Sequence, residues 1–129
     1  MTFQEIQNVI NEAQSLKDGW SNSERTYAFD EKHIKAARAF IGCLGINYLP
    51  NEARYYSHAL SFSWDAINNG VDITVSCKNH DSWDIYIKYC NKDIPNGTLD
   101  MSGESTLPFG FVASYVTLIL AHFRKWNER

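Results

Sequence analysis

The chain has 129 residues, of which 44% are hydrophobic and 21% are charged, and its formal net charge is -3 at pH 7. Its basic and acidic residues are interspersed, which argues against a general nucleic-acid binder because phosphate contacts need clustered Lys and Arg. Length and composition together predict one globular domain spanning residues 1–129.

Three cysteines, Cys43, Cys77 and Cys90, lie far apart without a CxxC spacing. An odd number of cysteines is a poor disulfide framework, so we expect reduced, buried thiols and a cytoplasmic location. The first ten residues, MTFQEIQNVI, lack the basic and apolar regions of a secretory signal, and no signal peptide is expected.

The first predicted helix runs from about Thr2 to Lys17. Thr2 and Glu5 match a capping box, in which each side chain binds a free backbone N–H of the other residue. Gly19 is expected to end the helix, because glycine adopts positive φ without strain. Apolar residues follow at helical spacing and predict one buried stripe: Ile6, Val9, Ile10, Ala13 and Leu16.

A second helix is predicted to begin with Asp30 as its N-cap and to end at Gly45. The polar loop before this helix carries two large aromatic side chains, Trp20 and Tyr27. Residues 47–57, which include Pro50, are predicted to be a connection with room for a short turn of helix. The second helix also has a predicted buried stripe, formed by Ile34, Ala37, Ile41 and Leu44.

Short runs of strict apolar and polar alternation fill the stretch from Ala59 to Gly103. Such alternation predicts an antiparallel meander of three or four strands with one apolar and one polar face. The residues predicted on the apolar face are Leu60, Phe62, Trp64, Val71, Ile73, Val75, Trp83, Ile85, Ile87 and Tyr89.

Turn residues predict how the strands pair. If Asn69-Gly70 is a two-residue hairpin loop, Trp64 lies opposite Val75 and Asp65 lies opposite Thr74.

A second turn at Lys78 to Asp81 would place Asp72 opposite Lys88, which is a favourable cross-strand pair. Pro95-Asn96-Gly97 is predicted to turn the chain into a short fourth strand, Thr98 to Met101.

Residues 105–126 predict a long C-terminal helix that is apolar most of the way round. Gly110, Ser114 and Thr117 interrupt its uncharged stretch, so a membrane span is not predicted. We expect it to be the central core helix, with a homodimer formed through this helix as an alternative. Its predicted buried face carries Val112, Tyr115, Val116, Ile119, Phe123 and Trp126.

These elements predict an α+β fold, in which an antiparallel meander of three or four strands is packed on one face by two N-terminal helices and a long C-terminal helix. The chain contains no GxSxG, Walker, GxGxxG or HExxH motif, and its four histidines are not paired at metal-binding spacing. We therefore predict no catalytic residue, no metal site and no cofactor.

One stretch, Asp84-Ile85-Tyr86-Ile87-Lys88, invites comparison with metal-dependent nucleases that carry an acid two residues before a strand lysine. Tyr86 occupies that position here, so the ligand that defines the constellation is missing. A small metal-dependent hydrolase or nuclease that uses His80, Asp84 or Lys88 remains an alternative hypothesis.

Polar and aromatic residues on the predicted sheet favour a binding function instead. Tyrosine and tryptophan are preferred anchors of protein interfaces, and neighbouring carboxylates would suit a basic partner such as a nuclease or defence effector. We predict a non-catalytic protein that binds and neutralises a macromolecule, without direct nucleic-acid or membrane binding. The predicted partner-binding residues are Asp65, Asp72, Asp84, Tyr86, Lys88, Trp20 and Tyr27.

Leu16 to Trp20 form an L-x-x-G-W motif, which precedes the Ala-rich segment Ile34 to Leu44, Pro50 and the predicted strand residue Trp64. This order resembles a loose group of uncharacterised bacterial and phage proteins over about the first half of the chain. Ser21-Asn22-Ser23 stand where that group has an aromatic loop. The size, mild acidity and aromatic-rich α+β build are similar to toxin immunity proteins and phage anti-defence inhibitors, which implies inhibition through binding.

Overall fold

The computed structural model describes residues 1–21, 26–56, 59–66, 71–91, 97–105 and 108–127. Side chains within these ranges are described except at 66, 89–91, 97–105 and 122–127. The helices in these ranges are α1 (Phe3–Gln14), α2 (Glu31–Cys43), a short 3-10 helix (Ile46–Tyr48) and α3 (Phe109–Asn127). The strands are β1 (Glu52–Tyr56), β2 (Ala59–Ala66), β3 (Val71–Asn79), β4 (Ser82–Asn91) and β5 (Gly97–Ser105).

Five strands form one antiparallel sheet in the order β1-β2-β3-β4-β5. The predicted α+β class and meander are confirmed, but three or four strands were predicted and the described sheet has five. Strand β1 lies in the segment predicted to be a connection, and it pairs with β2 from Glu52 opposite Ser63 to Tyr56 opposite Ala59. It was missed because its five residues bury only Ala53 on the core side.

The hairpin between β2 and β3 has a different register from the predicted one. Trp64 lies opposite Ile73 and Asp65 opposite Asp72, because four residues, 67–70, separate the paired strands. The prediction was therefore wrong by two residues. A shift of two preserves the face of every side chain, so the predicted faces are unaffected.

The hairpin between β3 and β4 places Asp72 opposite Lys88, as predicted. Its register shifts between Cys77 and Asn79, so Lys78 forms a β-bulge. The Asn69-Gly70 and Pro95-Asn96 turn predictions fall outside the described residues. Strand β5 is longer than the predicted Thr98 to Met101.

A hydrophobic core fills the space between the helices and one face of the sheet. Phe40 of α2 contacts three aromatic rings of the sheet, with centroid distances of 5.6 Å to Phe62, 6.2 Å to Trp64 and 5.1 Å to Trp83. Nearly all of the predicted apolar face is buried in this core, while Ile85 is half-buried and the side chain of Tyr89 lies outside the description.

Helix α2 is the central helix, because it packs on β3 while α1 packs on β1 and α3 packs chiefly on α2. The prediction that the C-terminal helix is central is wrong. Two alanines, Ala36 and Ala37, are buried beside Phe40 in α2, and such small side chains allow a helix backbone to approach its neighbours closely.

The helix starts follow the sequence signals. Thr2 and Glu5 form the predicted capping box, with both bonds at 3.1 Å, and the bond from the Thr2 N–H lowers the pKa of Glu5. Asp30 caps α2 by accepting a hydrogen bond from the Lys32 N–H at 2.9 Å.

The predicted helix ends are wrong. Helix α1 ends at Gln14 rather than Lys17, and Gly19 adopts a φ of 78° in the turn that follows, where its N–H donates to the Thr26 carbonyl at 2.7 Å. Helix α2 ends at Cys43 with Leu44 as its C-cap, so Gly45 is not the terminating residue.

Helix α3 buries a narrower face than predicted. Val112, Ala113 and Val116 are buried, whereas Tyr115, predicted to be buried, is 46% exposed. The side chains of Phe123 and Trp126 lie outside the description. None of the helices, within the described residues, is long and apolar enough to cross a membrane.

His33 connects α2 to the bulged end of β3. It is buried, and its Nε2 lies 2.6 Å from the Cys77 carbonyl oxygen, which can only accept a hydrogen bond. Nε2 therefore carries the proton of the neutral imidazole. Burial lowers the pKa of His33, and the bond to Cys77 only partly opposes this effect.

The thiols are not all buried. Burial raises the pKa of Cys77 to about 12, so this thiol is unreactive at neutral pH. Cys43 is exposed, contrary to the prediction, because it occupies the last position of α2 on the side away from the core. The side chain of Cys90 lies outside the description.

The lowered pKa of His33 predicts a pH-dependent stability. As the pH falls below the ordinary value of 6.5, the unfolded chain binds a proton more readily than the folded chain, so the free energy of unfolding decreases. The contribution of His33 to the free energy of unfolding is complete above pH 6.5, and it is lost as the pH falls through the folded-state pKa of this residue. Urea unfolding between pH 5 and 7.5 should show this loss, and His33→Gln should remove it.

His80 provides the control, because it is exposed in the turn between β3 and β4. His80→Gln should retain most of the wild-type pH dependence, because the charge of His80 is the smallest of the influences that lower the pKa of His33. An identical pH dependence in the wild type and His33→Gln would contradict the assignment.

Candidate functional site

Side chains that alternate with the core residues form the opposite surface of the sheet, which we call the polar face. The buried residues of all three described α-helices belong to the core on the other side. The polar face consists of Glu52, Arg54, Tyr56, Ser61, Ser63, Asp65, Asp72, Thr74, Ser76, Lys78, Asp84, Tyr86 and Lys88.

A depression of about 470 Å³, which we call the trough, lies on the polar face. Its floor is formed by Ser61 and Ser63 of β2 and by Thr74 and Ser76 of β3. One wall is formed by β1, and the opposite wall by the bulge of β3 and the start of β4. The wall residues are Glu52, Arg54 and Tyr56 on β1, with Lys78 and Asp84 opposite.

Four hydroxyl side chains make the floor. Ser61 lies opposite Ser76 with their oxygens 2.7 Å apart, and Ser63 lies opposite Thr74 at 3.4 Å. The depression exists because these short side chains occupy the middle of the sheet while longer side chains project from the strands on either side. Ser61 is only 7% exposed, so it lies at the bottom.

Each wall of the trough contains an ion pair between an acidic and a basic side chain. Arg54 pairs with Glu52, and hydrogen bonding to Tyr56 together with the charge of Glu52 raises the pKa of Arg54. On the opposite wall, Lys78 Nζ lies 3.3 Å from Asp84 Oδ1. Each wall thus carries one acid and one base, and the trough as a whole has no net formal charge.

Two aspartates lie beside the trough. Asp65 and Asp72 are directly opposite each other, and Asp72 is also opposite Lys88. Like charges directly opposite one another are unfavourable, and Lys88 offsets this repulsion. Together with the walls, the polar face has four acids and three bases, so its formal charge is -1 among the described side chains.

The register separates the carboxylates that a nuclease would use. Asp72 lies opposite Lys88, whereas Asp84 lies opposite Ser76, four residues further along the strands. Four residues of strand span about 13 Å, so these two carboxylates cannot bind one ion directly. The described side chains contain no group of three His, Cys, Asp or Glu that could hold a metal ion.

Trp20 and Tyr27 are not part of the polar face. The Trp20 indole N–H donates to the Tyr27 carbonyl at 3.1 Å, and its ring packs edge-on against Tyr55 at 5.5 Å. Tyr55 lies on the core side of β1, where its hydroxyl donates to Glu12 at 2.9 Å. Trp20 therefore packs on the helical side of the sheet, while the side chain of Tyr27 is 62% exposed.

The polar face thus brings together five of the seven predicted site residues, Asp65, Asp72, Asp84, Tyr86 and Lys88. The β1 wall was missed because its segment was predicted to be a connection. The alternation of Glu52, Arg54 and Tyr56 with Ala53 and Tyr55 was the signal that could have revealed it.

No protein-family model, curated protein or solved structure matches this chain. The fold defines an α+β protein with an antiparallel meander. The trough, with its hydroxyl floor and paired charges, is the part of the polar face that can enclose a group of another molecule.

The wall charges are expected to contribute little to folding. A partly exposed ion pair such as Lys78 with Asp84 typically contributes about 0.2–1 kcal/mol. A double-mutant cycle with Lys78→Ala and Asp84→Ala, measured by urea unfolding, should give a coupling energy in that range. Phe40→Ala should cost about 3–5 kcal/mol in the same assay, because it empties the centre of the core.

A coupling energy well above this range would mean that the wall charges serve the fold, and it would weaken their assignment to binding. The loss of unfolding free energy in Phe40→Ala shows, in the same assay, the size of effect expected for a residue whose role is structural.

Proposed function

We propose that this chain is a non-catalytic protein that binds and neutralises another protein through its polar face. The trough is the observation that carries this proposal. It offers hydroxyl groups and charges of both signs on a surface that the three described α-helices leave open. Such a surface is suited to recognising a folded partner, whose contact residues are themselves mixed in polarity.

The chemistry of the trough favours binding over catalysis. Its acids and bases are engaged with each other, and its hydroxyls pair among themselves rather than with a general base. Activation of a hydroxyl nucleophile requires a base within hydrogen-bond reach. The spacing of Asp72 and Asp84 likewise gives no support to the alternative of a metal-dependent nuclease.

The charge distribution supports a basic partner. The described side chains of the polar face carry a formal charge of -1, and the exposed Asp65 lies directly opposite a second carboxylate, Asp72, so this part of the face favours a cationic side chain of the partner. The alternation of sign along the walls does not suit a nucleic-acid backbone, which presents charge of one sign. A basic nuclease or defence effector matches this chemistry, and the likeness to immunity and anti-defence proteins implies the same class of partner.

Affinity capture from the cells that produce the protein can test the proposal. Asp65→Lys reverses an exposed charge at the acidic edge of the polar face, so it should reduce recovery of a stoichiometric basic partner by roughly tenfold or more. Glu31→Lys makes the same charge change at the exposed start of α2, on the helical side, and should leave recovery unchanged. Quantitative mass spectrometry gives the readout.

Equal recovery with both variants would exclude the polar face as the docking surface. Circular dichroism and urea unfolding of each variant establish that the comparison is between folded proteins.

A homodimer through α3 is a second candidate, supported by a separate observation. Phe111, Tyr115 and Leu118 recur at i, i+4 and i+7 on one side of α3 and are 63%, 46% and 70% exposed. An aromatic side chain has about 150–250 Å² of surface, so the exposed fractions of Phe111 and Tyr115, together with that of Leu118, amount to roughly 300 Å². That area would form the apolar centre of an interface of about 800 Å² per partner.

A second copy is the occupant that matches this stripe, because residues 109–121 carry no Asp, Glu, Lys or Arg and a two-fold axis would set one uncharged stretch of α3 against another. Sedimentation across the micromolar range should show a concentration-dependent dimer. Leu118→Asp should abolish it, because dimer formation would bury an unpaired carboxylate.

Ile46 supplies the control, since it is 83% exposed and lies outside α3. Ile46→Asp should leave the sedimentation behaviour unchanged. A wild-type chain that remains monomeric at every concentration would eliminate the dimer.

A further inference from the structure

We infer that the trough binds an extended segment of the partner protein edge-on, through the segment's main chain. This inference rests on the proposed function, because it assumes that the partner is a protein. It concerns the floor of the trough, whereas the capture experiment with Asp65→Lys concerns the acidic edge of the polar face.

The spacing of the floor hydroxyls is the first observation. Ser61 and Ser63 are two residues apart on β2, and their partners Ser76 and Thr74 are two residues apart on β3. The two hydroxyl pairs therefore repeat at about 6.8 Å along the strands. One edge of an extended chain presents the N–H and C=O groups of every second residue, so it repeats at the same interval.

The hydrogen-bonding capacity of the pairs also matches a main chain. Each hydroxyl has one donor and two acceptor positions, and each pair uses one donor and one acceptor internally. Every pair therefore keeps one donor and several acceptor positions. One residue of an edge-on segment needs one donor for its C=O and one acceptor for its N–H.

The walls are placed to contact side chains. Three interstrand distances separate β1 from β4, so their backbones lie about 14 Å apart. The side chains of an edge-on segment would point alternately to the two walls. Arg54 with Glu52 on one wall and Lys78 with Asp84 on the other can receive charges of either sign.

The balance of charge excludes a purely anionic ligand as the best fit. A phosphate or an acidic tail would meet the carboxylates of Glu52 and Asp84 as well as the cationic groups of Arg54 and Lys78, since all four line the trough. A peptide main chain is uncharged and pairs with neutral hydroxyls. The structure thus assigns an uncharged, main-chain ligand to the floor and side chains of mixed polarity to the walls.

Peptide selection tests this inference with a defined probe. Phage-displayed random peptides of about a dozen residues would be selected against the wild-type chain and counter-selected against the double variant Ser61→Ala with Ser76→Ala. Replacing both hydroxyls of one pair removes floor groups without leaving an unpaired partner, so the variant should fold normally. Ser114→Ala, an exposed serine on α3, is the matched control.

The selected peptide would then be synthesised with single N-methyl groups along its main chain. N-methylation at alternate residues should weaken binding by roughly tenfold, because each change removes one donor to the floor, while the intervening residues should tolerate it. The double variant should lose binding to a similar extent, and Ser114→Ala should bind like the wild type.

Two results would overturn the inference: no peptide selected over the double variant, or an N-methyl scan without a two-residue period. The natural partner separates this failure from failure of the proposed function. If Asp65→Lys loses the partner while the double variant retains it, the proposed function stands and the edge-on segment does not.

Discussion

The contact of Phe40 with Phe62, Trp64 and Trp83 is the interaction on which the rest of the structure depends. It fixes α2 over the middle of the sheet, and α1 and α3 then pack beside α2 on the same side. Phe62, Trp64 and Trp83 all project from the face that the helices cover, whereas the opposite face carries mainly hydroxyl and charged side chains. The described helices leave the polar face uncovered because the large apolar side chains of the sheet lie on the other face.

Strict alternation made the sheet predictable, since a residue's face follows from whether its number along the strand is odd or even. The error of two residues between β2 and β3 left Trp64 and Asp65 on their predicted faces for the same reason. The capping residues Thr2 and Asp30 could also be predicted from the sequence, because a cap depends on side chains within a few residues of it. Helix ends and the order of helix packing could not be predicted, because they depend on contacts between residues distant in sequence.

The candidate site shows the same limit. Asp84, Tyr86 and Lys88 could be assigned to one face from β4 alone, but the trough requires four strands in register, and β1 was not recognised. Trp20 was a reasonable interface candidate by residue type. Its ring packs on the helical side of the sheet, however, because it contacts Tyr55, which is 35 residues away in the sequence. Loop residues carry no alternation that would reveal the side on which they pack.

The β-bulge at Lys78 makes the two sides of the sheet mechanically dependent on each other. The carbonyl of Cys77, held from the helical side by His33, belongs to the peptide group that leads directly into Lys78. The orientation of that peptide group helps to set the direction of the lysine side chain that forms part of the trough wall. The geometry of one wall is therefore anchored across the thickness of the sheet, whereas the β1 wall lies on the strand at one edge of the described sheet, which pairs with β2.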